Sequence, residues 1–275
     1  FESRGDIVQH MPDRWVLPDR STALKWCQKR NEHGISCIID ILGRYNREES
    51  EAKIAYSDYL SLLEDISRLR LNASISVKPS TLGGTLHRET ALRLSKDLCE
   101  AAASLRVPYE LDIEGQRMTD LTLAMAEDGA RSGLPVTIAL QAYLRRTSQD
   151  IDTMLDAGVK IRLVKGAYTG DLADFDMISE AFKDATEQII GWDVPFCIGT
   201  HDPDLLEWAE NRISDRDFLE FAFLKGFAEE TKERMAIEGW KVAEYLPYGK
   251  NKEGYETRRR TYLATLAELG RSPAP

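Results

Sequence analysis

A chain of 275 residues with 43% hydrophobic and 30% charged side chains has the length for one large core and the balance of an ordinary globular enzyme. A formal charge of −10, with no basic patch interleaved with aromatics, excludes nucleic acid as an expected partner. The four cysteines (Cys27, Cys37, Cys99 and Cys197) stand far apart without a Cys-x-x-Cys pair, which reads as buried reduced thiols in a cytoplasmic setting rather than a disulfide framework or a zinc site.

No apolar run has the length of a membrane span, and no signal peptide is visible. Residues 1–18 lack a clear period and read as a lead-in. Asp19 or Ser21 is placed to cap a first helix that runs through His33 and stops at Gly34. The apolar run 36–43 reads as a buried strand, followed by an amphipathic helix over 48–71 and a strand over 73–79. The alternation then repeats. Helices are expected over 87–105, 118–132, 148–157, 174–190, 203–213 and 229–238. Strands are expected over 109–113, 135–141, 159–166, 195–200, 218–224 and 240–245, before a last helix rich in arginine.

Alternation of this kind builds parallel sheets, and eight units without a long linker point to an α/β fold of the closed (β/α)8 TIM type. Residues 1–275 then form a single domain, with 1–34 as lead-in and helix and 35–270 as barrel. An open doubly wound sheet is the alternative, but the glycine-rich G-x-G-x-x-G turn that serves nucleotide binding there is missing.

Barrel chemistry sits where strands end and helices begin. Those ends carry Lys78, Asp112, Glu114, Gln141, Tyr143, Lys165, Tyr168, Thr200, His201, Lys225 and Tyr245. Arg162 is sharper, because it lies inside an apolar strand, where a guanidinium needs an anion. That anion is either a neighbouring strand's acid, such as Asp112, or a ligand at the mouth. In the last helix Tyr255, Arg258 and Arg259 stand at i, i+3 and i+4 and share one face, with Tyr262, Leu263, Leu266, Ala267 and Leu269 as its apolar stripe. Two planar forks beside an aromatic ring suit a small carboxylate with an apolar body; a solvated basic turn is the plainer alternative. No metal site is expected, since His201-Asp202 has no convergent His partners. Lys78 or Lys165 could form a Schiff base if neutral, which keeps a lyase or aldolase open, as it does a non-catalytic barrel that binds an amino acid.

Six motifs occur in order: Ile75-Ser76-Val77-Lys78, Leu111-Asp112-Ile113-Glu114, Gln141-Ala142-Tyr143-Leu144, Arg162-Leu163-Val164-Lys165-Gly166-Ala167-Tyr168, Thr200-His201-Asp202 and Tyr255-Glu256-Thr257-Arg258-Arg259, the last preceded by Tyr245-Leu246-Pro247-Tyr248-Gly249. Together they resemble the flavin-dependent proline dehydrogenases, from about Ser36 to Arg259. The resemblance implies a (β/α)8 barrel holding FAD that oxidises L-proline to Δ1-pyrroline-5-carboxylate. Electrons then pass to a quinone or other acceptor. It also implies a functional link to a pyrroline-5-carboxylate dehydrogenase, and a location in the cytoplasm, peripheral at a membrane, or in the mitochondrial matrix of a eukaryote. By the same resemblance Arg258 and Arg259 bind the carboxylate, assisted by Lys78 and oriented by Asp112. Tyr168, Leu224, Tyr245 and Tyr255 wall the ring, with Tyr245 favouring proline over hydroxyproline. Gln141, Arg162, Lys165, Thr200 and His201 contact the flavin. Thr169, Ala222, Lys225 and Tyr262 depart from the family pattern.

Overall fold

The computed structural model describes residues 13–43, 48–166 and 170–275. Eight parallel strands close in sequence order: β1 (Ile35–Ile41), β2 (Ala73–Val77), β3 (Tyr109–Leu111), β4 (Val136–Gln141), β5 (Lys160–Val164), β6 (Phe196–Gly199), β7 (Leu219–Leu224) and β8 (Lys241–Tyr248). β8 closes the barrel on β1 over seven register pairs, from Ile35 opposite Val242 to Ile41 opposite Tyr248. The outer layer is α1 (Arg20–Glu32), α2 (Glu49–Leu69), α3 (Arg88–Leu105), α4 (Thr119–Arg131), α5 (Thr147–Asp156), α6 (Phe175–Gly191), α7 (Pro203–Arg212), α8 (Glu229–Ile237) and α9 (Glu253–Glu268).

Local chemistry sets the helix starts. Asp19 accepts from the Thr22 amide at 2.8 Å and caps α1, as expected. Asp174 caps α6 in the same way, and Asp202 caps α7 with Pro203 in its first turn. β8 runs three residues past the expected end at Tyr245, because Leu17 lends it a further partner. The Leu17 amide donates to Pro247 O at 3.0 Å, and the Gly249 amide donates to Leu17 O at 2.9 Å. Pro247 has no N–H of its own, yet its carbonyl serves this pairing.

Residues 13–18, the described part of the lead-in, therefore pack onto the barrel. Trp15, Val16 and Leu17 are buried. Behind them Glu244, fully buried on the outer face of β8, binds Arg30 of α1 at 2.8 Å, accepts from Trp26 Nε1 at 2.6 Å, and pairs with buried Lys232 of α8. These cations overcome the upward push of burial and hold the Glu244 carboxyl below its usual range.

The apolar core lies between strands and helices, where Tyr59, Leu62, Leu63 and Ile66 of α2 and Ile35 and Ile39 of β1 are fully or almost fully buried. The space inside the barrel is different. Strand alternation turns Ser36, Ile38 and Asp40 inward on β1, Ser74 and Ser76 on β2 with Lys78 after them, Glu110 on β3 with Asp112 after it, and Lys160 and Arg162 on β5. Barrel interiors are usually filled by branched apolar residues. This one has a column of charges, and the column leads to its mouth.

Candidate active site

Lys78 stands just beyond β2 with its ammonium 2.7 Å from Asp40 Oδ2 and 3.1 Å from Asp112 Oδ2, donating to the Tyr245 hydroxyl at 2.9 Å. Tyr245 in turn donates to Asp112 Oδ2 at 2.6 Å. Burial would raise the Asp112 pKa, but Lys78, Arg162 and the Tyr245 hydroxyl outweigh it and leave the carboxyl below its ordinary value. The Tyr245 phenol moves the other way, pushed well up by burial and by the adjacent carboxylates. Sequence reading passed over Asp40. Its signal was available: it is the one acid in an apolar strand, and it shares the inward parity of Ile38.

Arg162 is buried, as expected, and its anions come from the barrel itself. Nε lies 3.1 Å from Glu110 Oε2, and Nη2 lies 3.4 Å from Asp112 Oδ1. Burial alone thus does not require a ligand, because the neighbouring-strand alternative holds. Nη1 nevertheless has no protein acceptor among the described residues. Gln141 donates to Glu114 O at 2.9 Å, and Glu114 receives the amide and hydroxyl of Ser80, so Glu114 serves the β2–α3 connection.

α9 lies against the mouth on the side of β6–β8. Tyr255 and Arg259 are buried, and the Arg259 guanidinium sits 4.6 Å from the Tyr255 ring centroid. Arg259 is 8% exposed and has no carboxylate partner among the described residues; its Nε and the Tyr255 hydroxyl are buried without hydrogen-bond partners there. Burial raises Tyr255 to about 12. Arg258 is half-buried on the same face, while Arg260 is exposed and pairs with Glu256 at 3.3 Å. The expected apolar stripe is shorter than the sequence suggested: Leu266 is buried and Tyr262 and Leu263 are half-buried, but Ala267 and Leu269 face out. After Gly270 the chain turns back onto the barrel rather than over the last turn of α9: Arg271 pairs with Asp176 at 2.8 Å, and the Ala274 amide donates to His201 O at 2.8 Å.

His201, after β6, is buried and neutral. Burial, with Arg259 and Lys232 nearby, lowers its pKa to about 3. Its Nε2 accepts from the Leu224 amide at 3.0 Å, and its ring stacks on Phe227 at 4.6 Å. Thr200 Oγ1 accepts from the Asp202 amide at 3.1 Å. Lys165 reaches Asp202 at 3.0 Å and Ser179 at 2.8 Å over the face of Phe175. Leu224 is half-buried at the end of β7. Tyr168 and Thr169 lie outside the described residues. Ala222 is buried in β7, and Tyr262 stands 6.2 Å from the His201 ring. Lys225 is turned to the lead-in, where it donates to Asp13 O at 2.6 Å and Arg14 O at 2.8 Å over the Trp26 ring. Its departure from the family pattern therefore has a structural use.

Fold and site together describe a (β/α)8 barrel whose mouth carries a buried guanidinium packed on a tyrosine ring, with no carboxylate partner among the described residues. A family model described as Proline dehydrogenase matches residues 23–171. Proline dehydrogenase 1 of Bacillus subtilis strain 168 is 28% identical over 265 residues, which span 90% of this chain and 84% of that relative. Proline dehydrogenase of Deinococcus radiodurans is 25% identical over 285 residues, spanning 96% and 88%. Among solved structures, proline utilization A from Bdellovibrio bacteriovorus inactivated by N-propargylglycine superposes with a TM-score of 0.83 at 19% identity. That match covers 90% of this chain and 32% of the other, and at this identity it speaks to the fold. The chain belongs to the proline dehydrogenase family.

Proposed function

We propose that this chain oxidises L-proline to Δ1-pyrroline-5-carboxylate with FAD as the hydride acceptor, and that a quinone or another acceptor then takes the electrons. Arg259 carries the reading: a buried guanidinium with no carboxylate partner among the described residues, lying on a tyrosine ring at a barrel mouth. A ligand carboxylate would neutralise it, and the proline ring would cover the aromatic face.

The residues fit the flavin as well. Arg162 Nη1 has no protein acceptor among the described residues, and the ends of β4, β5 and β6 bring Gln141, Lys165, Thr200 and His201 toward the same mouth. These five residues would hold FAD, which when bound supplies a two-electron acceptor. The chain's own part is positioning. Arg258 and Arg259 orient the carboxylate, while Tyr245, Tyr255, Leu224 and Tyr168 wall the ring and exclude water. The carboxylates of Asp40 and Asp112, at 2.7 and 3.1 Å, and the Tyr245 hydroxyl, at 2.9 Å, hold the Lys78 ammonium in place beside the substrate. His201 Nε2 is already an acceptor, so the ring acts as a fixed prop rather than as a base.

A lysine lyase is the weaker reading: Lys78 lies between the carboxylates of Asp40 and Asp112, and Lys165, although burial lowers its pKa, is held in an ion pair with Asp202 at 3.0 Å. The cyclic imine product invites a second oxidation, so a pyrroline-5-carboxylate dehydrogenase is the partner expected downstream. Four buried free thiols support a reducing compartment. The test is anaerobic addition of L-proline to flavin-loaded protein. The long-wavelength flavin band should bleach, and a band that persists at saturating proline rejects the proposal.

A further inference from the structure

The inward column contains one carboxyl group that the proposed chemistry does not use. Glu110, in the middle of β3, is buried; Oε1 accepts from Ser74 Oγ, and Oε2 lies 3.1 Å from Arg162 Nε. That approach is a charge contact rather than an aligned hydrogen bond. Beneath Glu110, at the N-terminal ends of the strands, lies a cavity of about 150 Å³ lined by Ser36, Ser74, Thr137, Lys160, Cys197 and Glu220 among others. Lys160 and Glu220 pair across it at 3.1 Å.

The side-on edge of Arg162, formed by Nε and Nη2, is the edge that a single carboxylate grips with two parallel bonds. Here it is divided between two acids. Glu110 takes Nε from below, and Asp112 takes Nη2 at 3.4 Å from the side. Asp112 keeps its other oxygen for Tyr245 and Lys78. Without the lower acid, the guanidinium could close on Asp112 with both nitrogens. Asp112 would then be drawn away from Tyr245 and Lys78, and Nη1 would turn with the guanidinium. A buried ion pair adds little net stability over apolar residues of the same volume.

We propose that Glu110 is a positioning residue: braced by Ser74, it holds Arg162 off Asp112 and keeps the Nη1 edge presented at the mouth for the oxidised and reduced cofactor ring. This rests on the reading of Arg162 as a flavin contact. A donor that is held cationic favours the electron-rich reduced ring over the oxidised one.

The test is the midpoint potential of the bound flavin, measured with the melting temperature, in Glu110→Gln, Ser74→Ala and Arg162→Lys. Glu110→Gln also removes a buried negative charge, which alone would raise the potential. The expected fall of about 30 mV, equivalent to about a tenfold loss of preference for reduced over oxidised flavin, therefore reports the loss of Arg162 positioning, and a rise contradicts it. Ser74→Ala should shift the potential in the same direction by a smaller amount, and it decides the matter if Glu110→Gln does not fold. A fall in melting temperature with an unchanged potential would make Glu110 merely structural and overturn the proposal. If Arg162→Lys moves the potential while the Glu110 and Ser74 variants do not, the flavin contact stands and the positioning role is lost. If none of the three moves it, Arg162 does not face the ring and the proposal falls with that assignment.

Discussion

Arg259→Met puts the substrate assignment to its hardest test, because the structure separates its effect on binding from its effect on folding. In the protein the guanidinium has no carboxylate partner among the described residues, only the Tyr255 face at 4.6 Å. Removing it forfeits a cation–π contact of about 1 kcal/mol and relieves the burial of an unneutralised charge of comparable size, so unfolding free energy should change by less than about 1 kcal/mol. Substrate binding is another matter. Each charge-assisted hydrogen bond contributes about 1.5–3 kcal/mol, and a forked contact makes two, less whatever Arg258 takes over. A net loss of about 3–4 kcal/mol raises the proline KM by two to three orders of magnitude. The assay is steady-state oxidation with an artificial electron acceptor, alongside urea unfolding. Arg260→Met is the control, since that side chain is exposed and paired with Glu256, and its KM should match the parent. A KM within threefold of the parent in Arg259→Met, or an equal rise in Arg260→Met, would refute the clamp.

His201 makes stability depend on pH over a defined range. The folded protein holds it neutral with a pKa of about 3, against 6.5 in the unfolded chain. As pH falls from about 6.5 toward 3 the unfolded state takes up a proton that the folded state refuses, and stability declines by a few kcal/mol. His201→Gln should flatten that limb of a stability–pH curve, and two superimposable curves would contradict the neutral assignment. Gly226 has φ of +80°, and a Cβ there would come within 2.6 Å of Arg14 O and 2.9 Å of Trp15 Cδ1. Gly226→Ala should cost about 3 kcal/mol in chemical denaturation and loosen the lead-in to proteolysis; a cost below about 1 kcal/mol would mean that the lead-in is not seated on the rim.

Periodicity made the barrel legible. Eight apolar runs alternate with amphipathic helices, and each turn signal, such as Asp19 before α1 or Gly158 after α5, acts over a few residues that the sequence displays together. The arginine–tyrosine face of α9 was readable for the same reason, since i, i+3 and i+4 are neighbours whatever the rest of the fold does. Partners contributed by other strands were not readable. Asp40 meets Lys78, Glu110 meets Arg162, and Lys225 turns back to Asp13 and Arg14 across most of the chain. Barrel closure decides which inward side chains share a layer, through strand register and tilt, and no local pattern encodes that. Sequence alone therefore determined which residues could carry charge into the barrel. Only the tertiary structure decided which charges cancel and which, like Arg259, have no carboxylate partner among the described residues, because Coulomb interactions inside a fold follow distance in space and not separation along the chain.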